Sequence, residues 1–149
     1  MNYQVTPPPS LSEQIALIMH FNKKTIHSEI DIAKHIRKGL PFKIVEDICL
    51  VLQISQNELS QSIGINVRTL ARRKKENKLH ADEGDKLYRL VRIYARAVEV
   101  FEDKKTALRW LNTPKTTLGG EIPLSLLDTD AGTREIEQLL GRIEYGIIS

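Results

Sequence analysis

Four histidines, one cysteine and a few clustered carboxylates are the side chains of this sequence that could support catalysis or hold a metal. His20, His27, His35 and His80 are scattered without metal-ligand spacing. Cys49 stands between Ile48 and Leu50, a setting for inert burial rather than nucleophilic work, and a single cysteine makes neither an internal disulfide nor a Cys-based zinc site. Asp128 and Asp130 imitate a catalytic carboxylate pair, yet they precede a helical stretch, where capping is the ordinary use of Asp. Gly119-Gly120 lacks the following Lys-Ser/Thr of a phosphate loop and reads as a turn. The expectation is no enzyme, no cofactor and no metal.

The basic residues are more informative. Between Asn66 and Lys78 lie Arg68, Arg72, Arg73, Lys74, Lys75 and Lys78 against one acid, Glu76, a local charge of +5. The whole chain carries +3, so the remainder sums to −2. Such a block points to a localised anionic partner. Just before it, Ser60 is small where two helices would approach, Gly64 permits a tight turn, and Leu59, Ile63 and Ile65, with Leu70 inside the block, provide the apolar lock. A helix-turn-helix requires that pattern, with polar and basic residues at the start of the second helix, which enters the major groove. The expected DNA-binding residues are Gln56, Asn66, Arg68, Thr69, Arg72, Arg73, Lys74 and Lys75. Arg suits guanine edges, whereas the lysines suit phosphates. A solvated basic face would explain the charges, but not their coincidence with Ser60, Gly64 and Leu70.

The elements that position these residues are all helical. In 149 residues, 41% hydrophobic and 28% charged, the chain can build one ordinary domain or two small ones sharing a core. At 5% aromatic and eight Gly, a turn-rich β-sandwich or a base-stacking reader of single strands is disfavoured. No period-2 alternation, internal repeat, signal peptide or long apolar span is evident, so an all-α cytoplasmic protein is expected. Residues 1–10, with three consecutive prolines, read as a mobile tail. Helices are expected over 11–21, after a Ser28 cap to Gly39, over 42–53 with Pro41 as first helical residue, and over 56–63 and 67–77. Further helices follow over 83–101 with Asp82 as cap, from Asp103 to about 111, and over 131–145 after Asp130, the last with an apolar stripe ending at Ile147. The helix over 42–53 is apolar on most sides, which leaves two readings open: burial in the monomer, or a dimer surface. Arg89, Arg92 and Arg96 share a helical face and are expected to pair locally, for example Arg96 with Glu99.

The runs Gly39-Leu40-Pro41, 65–75 (INVRTLARRKK), 85–90 (DKLYRL), 107–114 ending in Trp110-Leu111-Asn112-Thr113-Pro114, Leu118-Gly119-Gly120 and 141–146 (GRIEYG) occur in an order and spacing that resembles the Xre-type antitoxins of the ParS/MbcA-like group. The resemblance covers about residues 28–149. It implies a type II antitoxin with an Xre-like helix-turn-helix domain at 28–81 and a small helical toxin-binding domain at 82–149, residues 1–27 being of uncertain role. It further implies a RES-domain toxin that depletes NAD as partner, neutralised by covering its active-site entrance. Operator double-stranded DNA would be bound for autorepression, by a homodimer within a larger toxin–antitoxin complex and with no membrane involved. Trp110, Arg142, Glu144, Tyr145 and Gly146 are the expected toxin-binding residues, with Arg142 suited to a site built for an anionic cofactor. A stand-alone helix-turn-helix repressor is the alternative.

Overall fold

The computed structural model describes residues 10–146. Of the expected tail over residues 1–10, residues 1–9 lie outside the described residues, as does the stripe position Ile147; Ser10 instead caps the first helix, its hydroxyl accepting from Glu13 N at 3.3 Å. Eight α-helices are present among them and no strand: α1 Leu11–Ile18, α2 Glu29–Lys38, α3 Lys43–Leu52, α4 Gln56–Ile63, α5 Val67–Glu76, α6 Ala81–Phe101, α7 Lys104–Leu111 and α8 Asp130–Glu144. Two 3-10 turns, Thr116–Leu118 and Pro123–Leu126, connect α7 to α8. The fold is all-α, as the periodicity predicts.

The 21-residue α6 is the axis of the molecule. Leu87, Leu90, Val91, Ile93, Tyr94, Ala95, Ala97 and Val98 are all buried, more than one face of a helix, so α6 is covered on several sides. It packs against α1, α2, α4, α7 and α8. The expected cap Asp82 lies instead inside its first turn: the N-cap is His80, whose backbone N–H donates to Glu83 Oε1 at 2.8 Å. A backbone bond from Leu79 N to Leu40 O (2.8 Å) ties this end of the chain to the α2–α3 corner, which sets where α6 starts. At α8 the side-chain cap is likewise Thr129, accepting from Gly132 N at 3.0 Å, with Asp130 the first helical residue.

One face of α1 and the turn after it belong to the core. Ile15, Ile18, Met19 and Phe21 are buried against α6 and α3, and His20 is paired with Asp47 of α3. Burial opposes ionisation of Asp47, but the hydrogen bonds from His20 and Lys43 outweigh it and hold its carboxyl below the usual value. The apolar character of α3 is largely explained by internal burial of Ile44, Val45, Ile48 and Leu52. Leu50 is the exception, 77% exposed. Pro41 precedes α3, whose N-cap is Phe42. Among the described residues, no helix is long and apolar enough to cross a membrane.

Candidate functional site

The pair α4–α5 is built as its residues dictate. Ser55 caps α4 by accepting from Glu58 N at 3.1 Å. The helix stops at Gly64, whose φ of +67° is strained for any residue with a Cβ. Ser60 is buried at the crossing, and its hydroxyl donates to the Ile65 carbonyl, which fixes the turn from within. Leu59, Ile63, Ile65 and Leu70 are buried as expected.

Asn66 Oδ1 accepts from Arg68 N at 2.8 Å, capping α5, and the residue is exposed. Arg68, Arg72, Lys74 and Lys75 are exposed on α5, Thr69 is half-buried, and Arg72 Nη2 lies 3.5 Å from Thr69 Oγ1. Gln56 is exposed at the start of α4. Seven of the eight expected DNA-binding residues therefore retain at least part of their surface.

Arg73 departs from the expectation. It is buried, its Nε donating to both Glu83 oxygens at 2.7 and 3.0 Å, with Nη1 3.4 Å from Glu76 and Nη2 3.1 Å from His80 Nδ1. The side chain turns inward because Arg73 stands three residues after Leu70, on the buried side of α5. That spacing was the available signal. Arg73 thus fastens α5 to the start of α6 and is withdrawn from the exposed face of α5 expected to meet DNA. Arg73→Ala strands Glu83, itself 3% exposed, without its counter-ion. It is expected to lower the thermal unfolding midpoint clearly more than Arg72→Ala, and equal midpoints would show that water replaces the guanidinium.

A second group of candidates lies at the end of α8. Ile136, Leu139 and Leu140 bury one face against α6 and its surroundings. The arginines of α6 pair with acids, as expected for Arg96 with Glu99 at 3.4 Å, and also reach across to α8: Arg92 to Glu137 at 2.7 Å, Arg89 to Asp130 at 3.9 Å, and Arg96 to Glu144. The Arg96 hydrogen bond holds the Glu144 carboxyl below its usual range. Arg142 faces Glu135 at 3.5 Å, an open contact of the weak exposed kind. Tyr145 is 78% exposed, and Gly146 follows at φ +70°. Trp110 is half-buried on α7, its ring 5.7 Å from Phe101 and beneath the Lys115 ammonium at 5.4 Å. Burial lowers the pKa of Lys115.

Comparison with known proteins resolves what these two ends are. A model of the antitoxin Xre-like helix-turn-helix domain matches residues 31–92, and one of the antitoxin Xre/MbcA/ParS C-terminal toxin-binding domain matches residues 96–146. Curated proteins named Antitoxin Xre from Photorhabdus laumondii and Yersinia enterocolitica are 36% and 34% identical over 116 residues, 76% of this chain and 78% of each relative. The chain belongs to the Xre antitoxin family. A third Antitoxin Xre, from Pseudomonas putida, is 39% identical over 83 residues, 55% of this chain and 52% of that protein. The two matched domains of this Xre family member meet between residues 92 and 96, inside α6. One continuous helix therefore joins the helix-turn-helix to the toxin-binding domain. Arg92 and Arg96, which pair with α8, stand at that junction.

Proposed function

We propose that this antitoxin neutralises a cognate NAD-depleting RES-domain toxin with its C-terminal domain, matched over residues 96–146, by covering the toxin's active-site entrance, and represses its own operon by reading operator DNA with α5. The carrying observation is the outer face of α5, where Arg68 and Arg72 are exposed with no ion pair among the described residues, beside the capping Asn66. Gln56, Thr69, Lys74 and Lys75 complete the DNA surface, the lysines against phosphates. Trp110, Arg142, Glu144, Tyr145 and Gly146 contact the toxin. The protein works in the cytoplasm as a homodimer within a toxin–antitoxin complex, for which exposed Leu50 on α3 offers an apolar contact.

A well-formed bidentate base contact carries about 1–3 kcal/mol of discrimination. Arg68→Ala or Arg72→Ala should therefore reduce the preference for operator over scrambled duplex by about tenfold or more. Competition binding at fixed salt measures this. An unchanged preference in both variants would remove α5 as the reading helix, and failure of the intact chain to restore growth beside a RES-domain toxin would remove the neutralisation half.

A further inference from the structure

Basic residues also gather outside the α4–α5 pair, on α2 of the same matched domain, where the sequence reading assigns them no role. Lys34, Arg37 and Lys38 are exposed on the second half of α2, with Lys34 and Lys38 one turn apart. The α2–α3 corner meets the segment after α5 directly. Leu79 N donates to Leu40 O, and the Lys78 side chain lies across Gly39 so closely that a Cβ there would stand 2.2 Å from Lys78 Cε. The end of α2 is thereby joined to the end of the reading helix. Lys34, Arg37, Lys38 and Lys78 make no ion pair among the described residues. The acid on the same face of α2, Asp31, stands one turn before Lys34; its carboxylate accepts from His27 N at 2.9 Å and is held below its usual range by that hydrogen bond first, with Lys34 contributing, so it offsets part of the charge of the patch. Glu76 faces Arg73 and His80, so Asp31 and exposed Asp82 are the nearby acids without an ion pair among the described residues, two against the four cations.

Length decides what this patch meets. The ten residues of α5 span about 15 Å, whereas the major groove is about 12 Å wide. With its N-terminal end in the groove, the last turn of α5 reaches the rim, where phosphates lie. We propose that Lys34, Arg37, Lys38 and Lys78 form a second phosphate-binding surface that grips the DNA backbone beside the groove read by α5. The inference rests on α5 being the DNA-reading helix. Phosphate contacts of this kind fix the orientation of a protein on the duplex without adding sequence preference.

The test uses the full chain and the triple variant Lys34→Gln/Arg37→Gln/Lys38→Gln, with a duplex taken from upstream of its own reading frame and a scrambled duplex of equal length. Affinity for both should fall by a similar factor, about tenfold near physiological salt, and the slope of log K against log salt should become shallower by about 2 to 3. The preference between the duplexes should persist, and the backbone footprint should shorten on one flank. An unchanged slope and footprint would overturn the proposal, as would loss of toxin neutralisation with DNA binding intact, which would assign the patch to an acidic protein surface. Arg68→Ala in parallel distinguishes the two levels. If it alters preference while the triple variant changes nothing, α5 reads DNA without this grip; if neither variant alters binding, the α5 reading fails as well.

Discussion

A chain ending at Leu140 should lose toxin neutralisation and keep operator binding. The deletion takes away Arg142, Glu144, Tyr145 and Gly146, the proposed contact residues at the end of α8. It leaves the buried anchors of that helix, Ile136, Leu139 and Leu140. What the fold loses is mainly exposed: the Arg96–Glu144 and Arg142–Glu135 pairs and the half-buried Ile143. Exposed ion pairs contribute little to stability, so the shortened chain should remain folded. Interface residues that matter most are worth about 2 kcal/mol or more each, and removing several raises Kd by at least about a hundredfold. Viable counts on coexpression with toxin, beside operator titration of the same protein, separate the two activities. Undiminished rescue of growth would place the toxin contact elsewhere, with Trp110 and the α7 face next in line.

The second large effect is expected at Leu70. On α5 the buried residues are Leu70 and Arg73, so one leucine supplies most of the apolar attachment of the helix proposed to read DNA. Leu70 is 1% exposed and joins the same core as Leu59 and Ile63 of α4. Truncating a buried leucine to alanine costs about 2–5 kcal/mol, the lost transfer free energy plus the cavity left behind. Against a domain stability of about 5–15 kcal/mol, that is a large fraction. Leu70→Ala should lower the urea midpoint substantially and weaken operator binding, because α5 loses its fixed seat. Substitution of exposed Ala71 by Ser, one residue away, should stay within about 0.5 kcal/mol. Similar midpoints for the two variants would mean that Arg73 and the α4–α5 turn hold α5 without the leucine.

The helix-turn-helix was legible because its requirements are local. A small residue at Ser60, a left-handed turn at Gly64 and a basic second helix capped by Asn66 lie within one short stretch of sequence, Ser60 to Lys75. The helix starts at 81 and 130 were misread because Asp is a good cap in isolation. In the folded chain the tie between Leu79 and Leu40, and the Thr129 hydroxyl, decide where each helix begins. The short first helix had too few residues to declare its role. Its burial against α6 and α3 depends on partners far along the chain.

The sequence by itself determined the helices to within a turn, their order, the helix-turn-helix motif and the family resemblance, since periodicity, capping residues and charge runs act over a few positions. Tertiary structure alone decided which charges are available to partners. Arg73 meets Glu83 across the α5–α6 turn, Arg92 meets Glu137 across 45 positions, and Lys78 crosses Gly39. A cation's availability depends on which carboxylate the packing brings within about 4 Å. Helical periodicity cannot specify that distance, because it arises only when separate helices close on a common core.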